Sequence, residues 1–184
     1  MKKILFALFT LNSLNVNAQD FEIRSIPKID IGLGGIGFGY EAKIGKQLTL
    51  DLNTGVSGRY EIYNNSFKYI FANSFNALPA IYVSASPRYY YNHQKRLARG
   101  KNVANNSANY IGIKLKVVPH LKLPNPGALL NVHWGLQRSF GKNLKWLFNT
   151  HAGMGYGGNI GFGGSKGMLY PSIDFKWSYV LSKK

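Results

Sequence analysis

Leu169-Tyr170-Pro171-Ser172-Ile173-Asp174-Phe175-Lys176-Trp177-Ser178-Tyr179-Val180-Leu181 alternates with a period of two. Leu169, Pro171, Ile173, Phe175, Trp177, Tyr179 and Leu181 fall on one face; Tyr170, Ser172, Asp174, Lys176 and Ser178 fall on the other. Successive side chains of an extended chain point to opposite sides, whereas a helix would scatter these residues around its circumference. The same period recurs upstream. Trp146, Phe148, Thr150, Ala152, Met154 and Tyr156 oppose Lys145, Asn149, His151, Gly153 and Gly155. Leu130, Val132, Trp134 and Leu136 oppose Asn131, His133, Gly135 and Gln137, and Ile111, Ile113, Leu115 and Val117 oppose Gly112, Lys114 and Lys116. Leu48, Leu50, Leu52 and Val56 oppose Asp51, Asn53, Ser57 and Arg59. This is a β protein.

The pattern predicts strands near 21–31, 35–44, 46–60, 78–91, 108–118, 129–139, 144–157 and 168–181. Pro27 interrupts the first, which predicts an edge position or a bulge there. Gly45-Lys46 and Gly141-Lys142-Asn143 have the composition of tight turns. Longer polar segments at 61–77, 119–128 and 158–167 alternate with them. If both termini lie on one side, short turns gather there and long loops gather opposite, the asymmetry of outer-membrane barrels. Segment 92–107 is the exception, a long basic connection on the short-turn, periplasmic side.

Alternation alone does not say which face points outward, because a lipocalin-like soluble barrel shares it with the apolar face inside. Three features favour the apolar face outside. The polar face holds small residues suited to a narrow lumen: Gly37, Gly39, Asn53, Gly55, Ser57, Ser84, Ser86, Gly153 and Gly155. Tyr60, Tyr89, Tyr91, Trp146 and Tyr179 stand near strand ends on the apolar face, as interfacial girdles do. The Gly-x-Trp signature of lipocalins is missing near the first strand.

The N-terminus accounts for how such a fold would reach a membrane. Met1-Lys2-Lys3 precedes the apolar run Ile4-Leu5-Phe6-Ala7-Leu8-Phe9, and Asn17-Ala18-Gln19 offers a small residue at a cut site. That is the layout of a secretory signal peptide at 1–18, leaving 19–184 as one domain. No later apolar stretch is long enough for a transmembrane helix. The absence of cysteine suits a fold held by closure rather than by disulfides. The expectation is an all-β, eight-stranded antiparallel up-and-down transmembrane β-barrel. A net charge of +16 favours anionic partners. Export turns that preference from nucleic acid toward membrane lipids and lipopolysaccharide phosphates; the other reading of the charge is solubility and resistance to self-association.

The chain resembles the small outer-membrane β-barrel proteins of Bacteroidota, most of unassigned function. The residues that carry the likeness are Asn17-Ala18-Gln19, Tyr40-Glu41 leading into Ile44-Gly45-Lys46, and Arg88-Tyr89-Tyr90-Tyr91-Asn92. Lys95-Arg96-Leu97, Gly100-Lys101-Asn102 and Asn106-Ser107-Ala108-Asn109-Tyr110 belong to the same likeness. The resemblance implies a cell outer-membrane location. Such barrels commonly end in an aromatic residue read by the insertion machinery, whereas this chain ends Tyr179-Val180-Leu181-Ser182-Lys183-Lys184. Trp177 and Tyr179 are the residues left to carry that signal.

No constellation identifies a reaction. Gly32-Leu33-Gly34-Gly35-Ile36-Gly37 has dinucleotide-loop spacing, but Phe38 to Lys43 alternate as a strand rather than opening a helix. His93, His120, His133 and His151 show no metal-pair spacing. His133 and His151 share the polar face of neighbouring strands and are expected to hydrogen-bond in the lumen. Carboxylate ligands to them would have to come from Glu41, Asp51 or Asp174. Small-barrel lipid A deacylases carry His-x-Ser on a strand; here the histidines read His-Gln-Lys, His-Leu-Lys, His-Trp-Gly and His-Ala-Gly. A Ser139, His133, Asp174 set remains conceivable only by assembly from distant positions. No catalytic residue, cofactor or metal is assigned.

Glu41, Lys43, Asp51, Arg59, Arg88, Lys114, Lys116, His133, His151, Asp174 and Lys176 share the polar face and are expected to form a hydrogen-bonded ion network filling the lumen. His93, Lys95, Arg96, Arg99 and Lys101 form the basic periplasmic connection, read either as a solvated helical turn or as a contact to an anionic surface. Asn64-Asn65-Ser66-Phe67-Lys68-Tyr69-Ile70-Phe71 and segment 119–130 are candidate surfaces for a protein partner, because exposed aromatics there call for a purpose. The expected role is structural or surface-interacting, as a monomer. The competing readings are a lipid A-modifying enzyme and a soluble lipocalin-like binder of an apolar ligand.

Overall fold

A computed structural model of the protein describes residues 22–63, 66–70, 80–118, 127–159 and 167–181. Eight antiparallel strands close into a barrel: β1 (Ile26–Gly32), β2 (Gly35–Lys43), β3 (Leu48–Ser57), β6 (Ala80–Tyr89), β7 (Asn109–Val118), β8 (Gly127–Phe140), β9 (Trp146–Asn159) and β10 (Met168–Val180). Each pairs with its neighbour in the sheet, and β1 returns to β10 through Lys28↔Val180, Ile29↔Tyr179, Asp30↔Ser178, Ile31↔Trp177 and Gly32↔Lys176. The expected signal segment 1–18 and loop 119–126 lie outside the described residues, as do Asn64, Asn65, Phe71 and His120.

Two features differ from the sequence expectation. The strand expected at 46–60 stops at Ser57, and a separate ribbon of β4 (Arg59–Tyr63) and β5 (Ser66–Ile70) comes after it. Tyr60 and Arg59 therefore belong to this ribbon, not to a barrel strand. The signal for it was two β-prone runs around Asn64-Asn65, a turn-forming pair. Although the ribbon leaves from β3 and returns to β6, β4 approaches β8 and β9, so it leans over that mouth of the barrel. Pro27, in turn, makes neither an edge nor a bulge. It pairs with Tyr40 near the start of β1, and its carbonyl accepts a hydrogen bond from the Leu181 N–H at 2.9 Å. The ladder lapses instead beside Pro87, where β6 and β7 pair at Ala85↔Leu115 and resume at Arg88↔Gly112. Proline has no N–H to contribute there.

The glycine-rich stretch makes the β1–β2 hairpin, with Leu33-Gly34 at its tip and Gly35 at φ 119°. At the other end, residues 44–47 join β2 to β3 and 141–145 join β8 to β9. The longer connection between β6 and β7 folds into a short helix α1 (His93–Ala98), stopped by Gly100 at φ 63°, and a 3-10 turn (Ala104–Asn106).

Parity sorts the side chains. Ile36, Phe38, Val56, Ile81, Val83, Ile111, Val132, Met154, Leu169 and Ile173 point outward and are exposed, Phe38 and Leu169 by about two thirds. Inward positions are polar at mid-barrel and apolar toward the ends. One end is closed by the clusters Ile23/Tyr90/Ala108/Tyr110 and Ile26/Leu147/Val180, the other by Leu129/Tyr170 and Ala80/Tyr82/Val118. Interior room is tight enough that two tyrosine rings lie directly over glycines. A Cβ on Gly135 would strike the Tyr110 ring, and one on Gly155 would strike the Tyr170 ring.

Gly135→Val is accordingly expected to destabilise the barrel by about 1–3 kcal/mol or more, the cost of overpacking a filled core. The check is the temperature at which the compact electrophoretic form of the barrel converts to the unfolded one; an unchanged midpoint would contradict the packing described.

Candidate functional site

The interior is organised around Asp51 on β3. Its carboxylate meets Lys28 Nζ at 2.7 Å, Arg88 Nη2 at 2.5 Å and Lys176 Nζ at 3.6 Å, from three other strands. Inward parity places these residues inside: Asp51 pairs across the ladder with Glu41 on β2 and Ser86 on β6, and Arg88 lies opposite Thr49, two residues along β3. Lys176 also contacts Asp30 at 2.7 Å and donates to Asn53 Oδ1 at 3.3 Å. Toward the ribbon end, Lys114 pairs with Asp174 at 3.0 Å, and Lys116 donates to the Gly34 carbonyl at 3.0 Å while lying over the Tyr82 ring. The cavity left among Lys114, Lys116, Asp174, Lys176 and Tyr82 is about 20 Å³, room for about one water.

Toward the α1 end, Glu41 accepts hydrogen bonds from Tyr90 Oη at 2.8 Å, Asn106 Nδ2 at 2.8 Å and Gln137 Nε2 at 3.2 Å, with Lys28 Nζ at 3.5 Å. Arg88 lies over the Tyr110 ring, whose hydroxyl donates to Asn149 Oδ1 at 3.0 Å. Four of the chain's seven carboxylates, Asp30, Glu41, Asp51 and Asp174, are held inside in this way. A buried charge is tolerated only when paired and hydrogen-bonded, which these contacts accomplish.

His133 and His151 stack with ring centroids 4.1 Å apart. They do not bond each other: His133 Nδ1 meets Asn131 Oδ1 at 2.7 Å, and His151 Nε2 meets Ser172 Oγ at 3.5 Å. Among the described residues no group of three histidine or carboxylate side chains could hold a metal ion. The Ser139, His133, Asp174 set does not assemble. Ser139 bonds to Ser107 and the Ala104 carbonyl at the α1 end, while Asp174 pairs with Lys114 toward the other. Lys43, named with the lumen residues by parity, stands at the exposed rim, 2.5 Å from Glu22, whose carboxyl it holds below the usual range.

Lys28, Asp30, Tyr90, Tyr110, Gln137, Asn149 and Asn106 complete the network and were not among the network residues read from the sequence. Lys28 and Asp30 sit on the strand whose alternation Pro27 obscures. Asn106 comes from a loop, where parity has no meaning.

That loop is a lid, not a solvated connection. Asn105, Asn106, Ser107 and Ala108 are buried, and Asn105 and Asn106 adopt φ of 50° and 58°, a conformation asparagine tolerates better than most residues. Asn106 Nδ2 also donates to the Arg24 carbonyl at 2.9 Å, Asn105 Nδ2 donates to the Leu144 carbonyl at 2.6 Å, and the Asn105 carbonyl accepts from Gln137 at 2.9 Å. Of the five basic-connection residues, His93 is buried and so does not join a charged surface, whereas Lys95, Arg99 and Lys101 are exposed. Arg96 is half-buried, donating to the Ser107 and Asn102 carbonyls at 2.9 Å each.

Chemically, the described interior is a hydrogen-bonded plug of ion pairs and fitted rings, and among the described residues no apolar calyx opens into it. No protein-family model, curated protein or solved structure matches this chain.

Asp51→Asn removes the carboxylate shared by Lys28, Arg88 and Lys176, and should cost about 3–5 kcal/mol, as breaking buried pairs does. Urea unfolding of the purified barrel reads this out; a change below about 1 kcal/mol would mean the cluster is effectively solvated. Burial also pushes the His93 imidazole below its ordinary value of 6.5. The neutral form is then the one the fold favours, so its contribution is full above about pH 6.5 and declines as pH falls below that. Amide exchange across 90–108, corrected for intrinsic rates, should be faster at pH 5 than at pH 7.5, and His93→Leu should flatten that difference.

Proposed function

We propose that this chain is an outer-membrane β-barrel with a sealed lumen, acting as a structural or surface-interaction protein and not as a pore. One observation carries the reading. Of all outward-facing positions on the eight barrel strands, only Arg138, at the α1 end, bears a charge. Apart from the uncharged polar Thr54, Asn109 and Thr150, the remainder are apolar or glycine and form a band all the way round. Monomers in water rarely expose contiguous apolar patches beyond about 300–600 Å², so such a band calls for hydrocarbon as its solvent.

Strand length agrees. Seven of the eight barrel strands run 9–14 residues, and a tilted strand needs about 9–11 to cross a bilayer. Exposed Tyr89, Tyr91, Trp134, Trp146 and Trp177 supply girdle residues, with the Trp146 and Tyr179 rings packed edge to face at 5.2 Å. A lipocalin-like role would need an apolar interior, and the interior here is charged. The β4–β5 ribbon and the loops at that end are the surfaces that would meet partners outside the cell, with α1 and the short turns on the periplasmic side.

Sealing is a consequence of size and filling. Eight strands leave an interior just wide enough for side chains, and here the ion network, the lid and the ribbon occupy its length and both mouths. Cell fractionation should place the full-length protein with the outer membrane, and planar bilayers containing it should show no steady conductance. Recovery in the soluble periplasm would end the membrane reading, and stable channel openings would end the sealed one. Lipid A from deletion and wild-type cells should carry the same acyl chains by mass spectrometry; a difference would favour the enzyme reading.

A further inference from the structure

Beside α1 the surface opens into a cleft of about 450 Å³ lined by Tyr91, Lys95, Arg96, Arg99, Lys101 and Arg138, with Asn92 and Asn109. No carboxylate lines it, and none of its five cations has an ion pair among the described residues. Five like charges converging without a counter-ion repel one another, yet the fold holds two of the three guanidinium groups, those of Arg96 and Arg138, in place. Arg96 donates to the Ser107 and Asn102 carbonyls. Arg138 donates to the Gln137 carbonyl at 2.7 Å and to Asn109 Oδ1 at 2.5 Å. A guanidinium has about five N–H donors, so each keeps several for a ligand. Tyr91 Oη accepts from Trp134 Nε1 at 2.7 Å, which leaves its own proton free to donate.

The position of the cleft says what kind of anion it suits. Tyr91 and Arg138 are at the lower margin of the apolar band. Directly above, Tyr89 pairs with Ile111, and Ile111 with Trp134, all exposed on the outer face. An occupant would therefore have its anionic part among fixed guanidinium donors and its apolar part along β6, β7 and β8. Tyrosine and tryptophan at this level are the side chains that favour a headgroup boundary.

We propose that this cleft binds the phosphate of an anionic glycerophospholipid, with the acyl chains lying on the outer face of β6–β8. The inference rests on the membrane orientation proposed above. It assigns Arg96 and Arg138 as the phosphate-holding pair, Tyr91 as an additional donor, and Lys95, Arg99 and Lys101 as supporting charge.

The test uses the full chain folded in a mild neutral detergent, with equal amounts of phosphatidylglycerol and phosphatidylcholine added. Native mass spectrometry counts the lipid retained. Phosphatidylglycerol should be kept in preference to phosphatidylcholine, and Arg96→Gln with Arg138→Gln should weaken that retention by roughly twentyfold, at roughly fivefold for each basic residue at an anionic lipid surface. Lys46→Gln with Lys142→Gln removes the same charge from exposed turns at the same end, outside the cleft, and should change retention by less than about twofold. Compact electrophoretic mobility shows that each variant folds. If the arginine pair does not, Lys95→Gln with Lys101→Gln takes its place with the same expected direction.

Equal retention of the two lipids would overturn the proposal. So would an equal loss in the turn variant, which would make the effect diffuse charge. Displacement of the lipid by millimolar inorganic phosphate would reassign the cleft to a free anion. A barrel that folds in detergent without lipid preference defeats this inference alone; a protein that is soluble without detergent defeats the membrane reading beneath it.

Discussion

Pairing of β1 with β10 closes the ladder, and the rest of the structure depends on that closure. A closed sheet has no free edge, so its barrel strands satisfy their backbone groups on one another. Closure also turns the two faces of a strand into an inside and an outside. In this chain the inside takes the charges and the outside takes the apolar residues, the reverse of a water-soluble barrel. The hydrophobic effect then contributes little to filling the interior, which must be held by ion pairs, hydrogen bonds and fitted rings. Tyr110 over Gly135 and Tyr170 over Gly155 show how little room is left.

The ion network sets the distribution of charge over the whole molecule. With Asp30, Glu41, Asp51 and Asp174 committed to interior cations, few acids remain to balance lysine and arginine elsewhere. The excess collects at the α1 end. Among the described residues, Arg24, Lys43, Lys46, Lys95, Arg96, Arg99, Lys101, Arg138, Lys142 and Lys145 stand there, against Glu22 as that end's exposed carboxylate. A net charge of +16 is therefore no uniform property of the surface. Among the described residues these ten cations form a basic collar at one end of a barrel wall that bears a single outward charge, Arg138.

The lid at that end links the two halves of this picture. Its inner residues, Asn105 and Asn106, tie Glu41, Gln137, Arg24 and Leu144 together and shut the mouth. Its outer residues, Arg96 and Lys95 among them, face the cleft where the proposed lipid phosphate would sit. One segment thus both seals the interior and presents the charge, so the anchoring of Arg96 to the Ser107 carbonyl joins the plug to the collar.

Alternation along residues 169–181 and its repeats determined the β class and, for the barrel, the number of strands and the residues on each face, but not the β4–β5 ribbon. Those are local properties, fixed by the covalent geometry that turns successive side chains to opposite sides. Glu41, Asp51, Arg88, Asp174 and Lys176 were legible as interior residues for that reason. Which of them meet was not, because register between strands far apart in sequence decides it: Asp51 touches Lys28, Arg88 and Lys176 only after closure. The burial of His93, the asparagine lid and the seat of Arg138 beside Arg96 were likewise settled by tertiary structure alone. Loops carry no period, and the partners of a side chain without one are chosen by the fold that surrounds it.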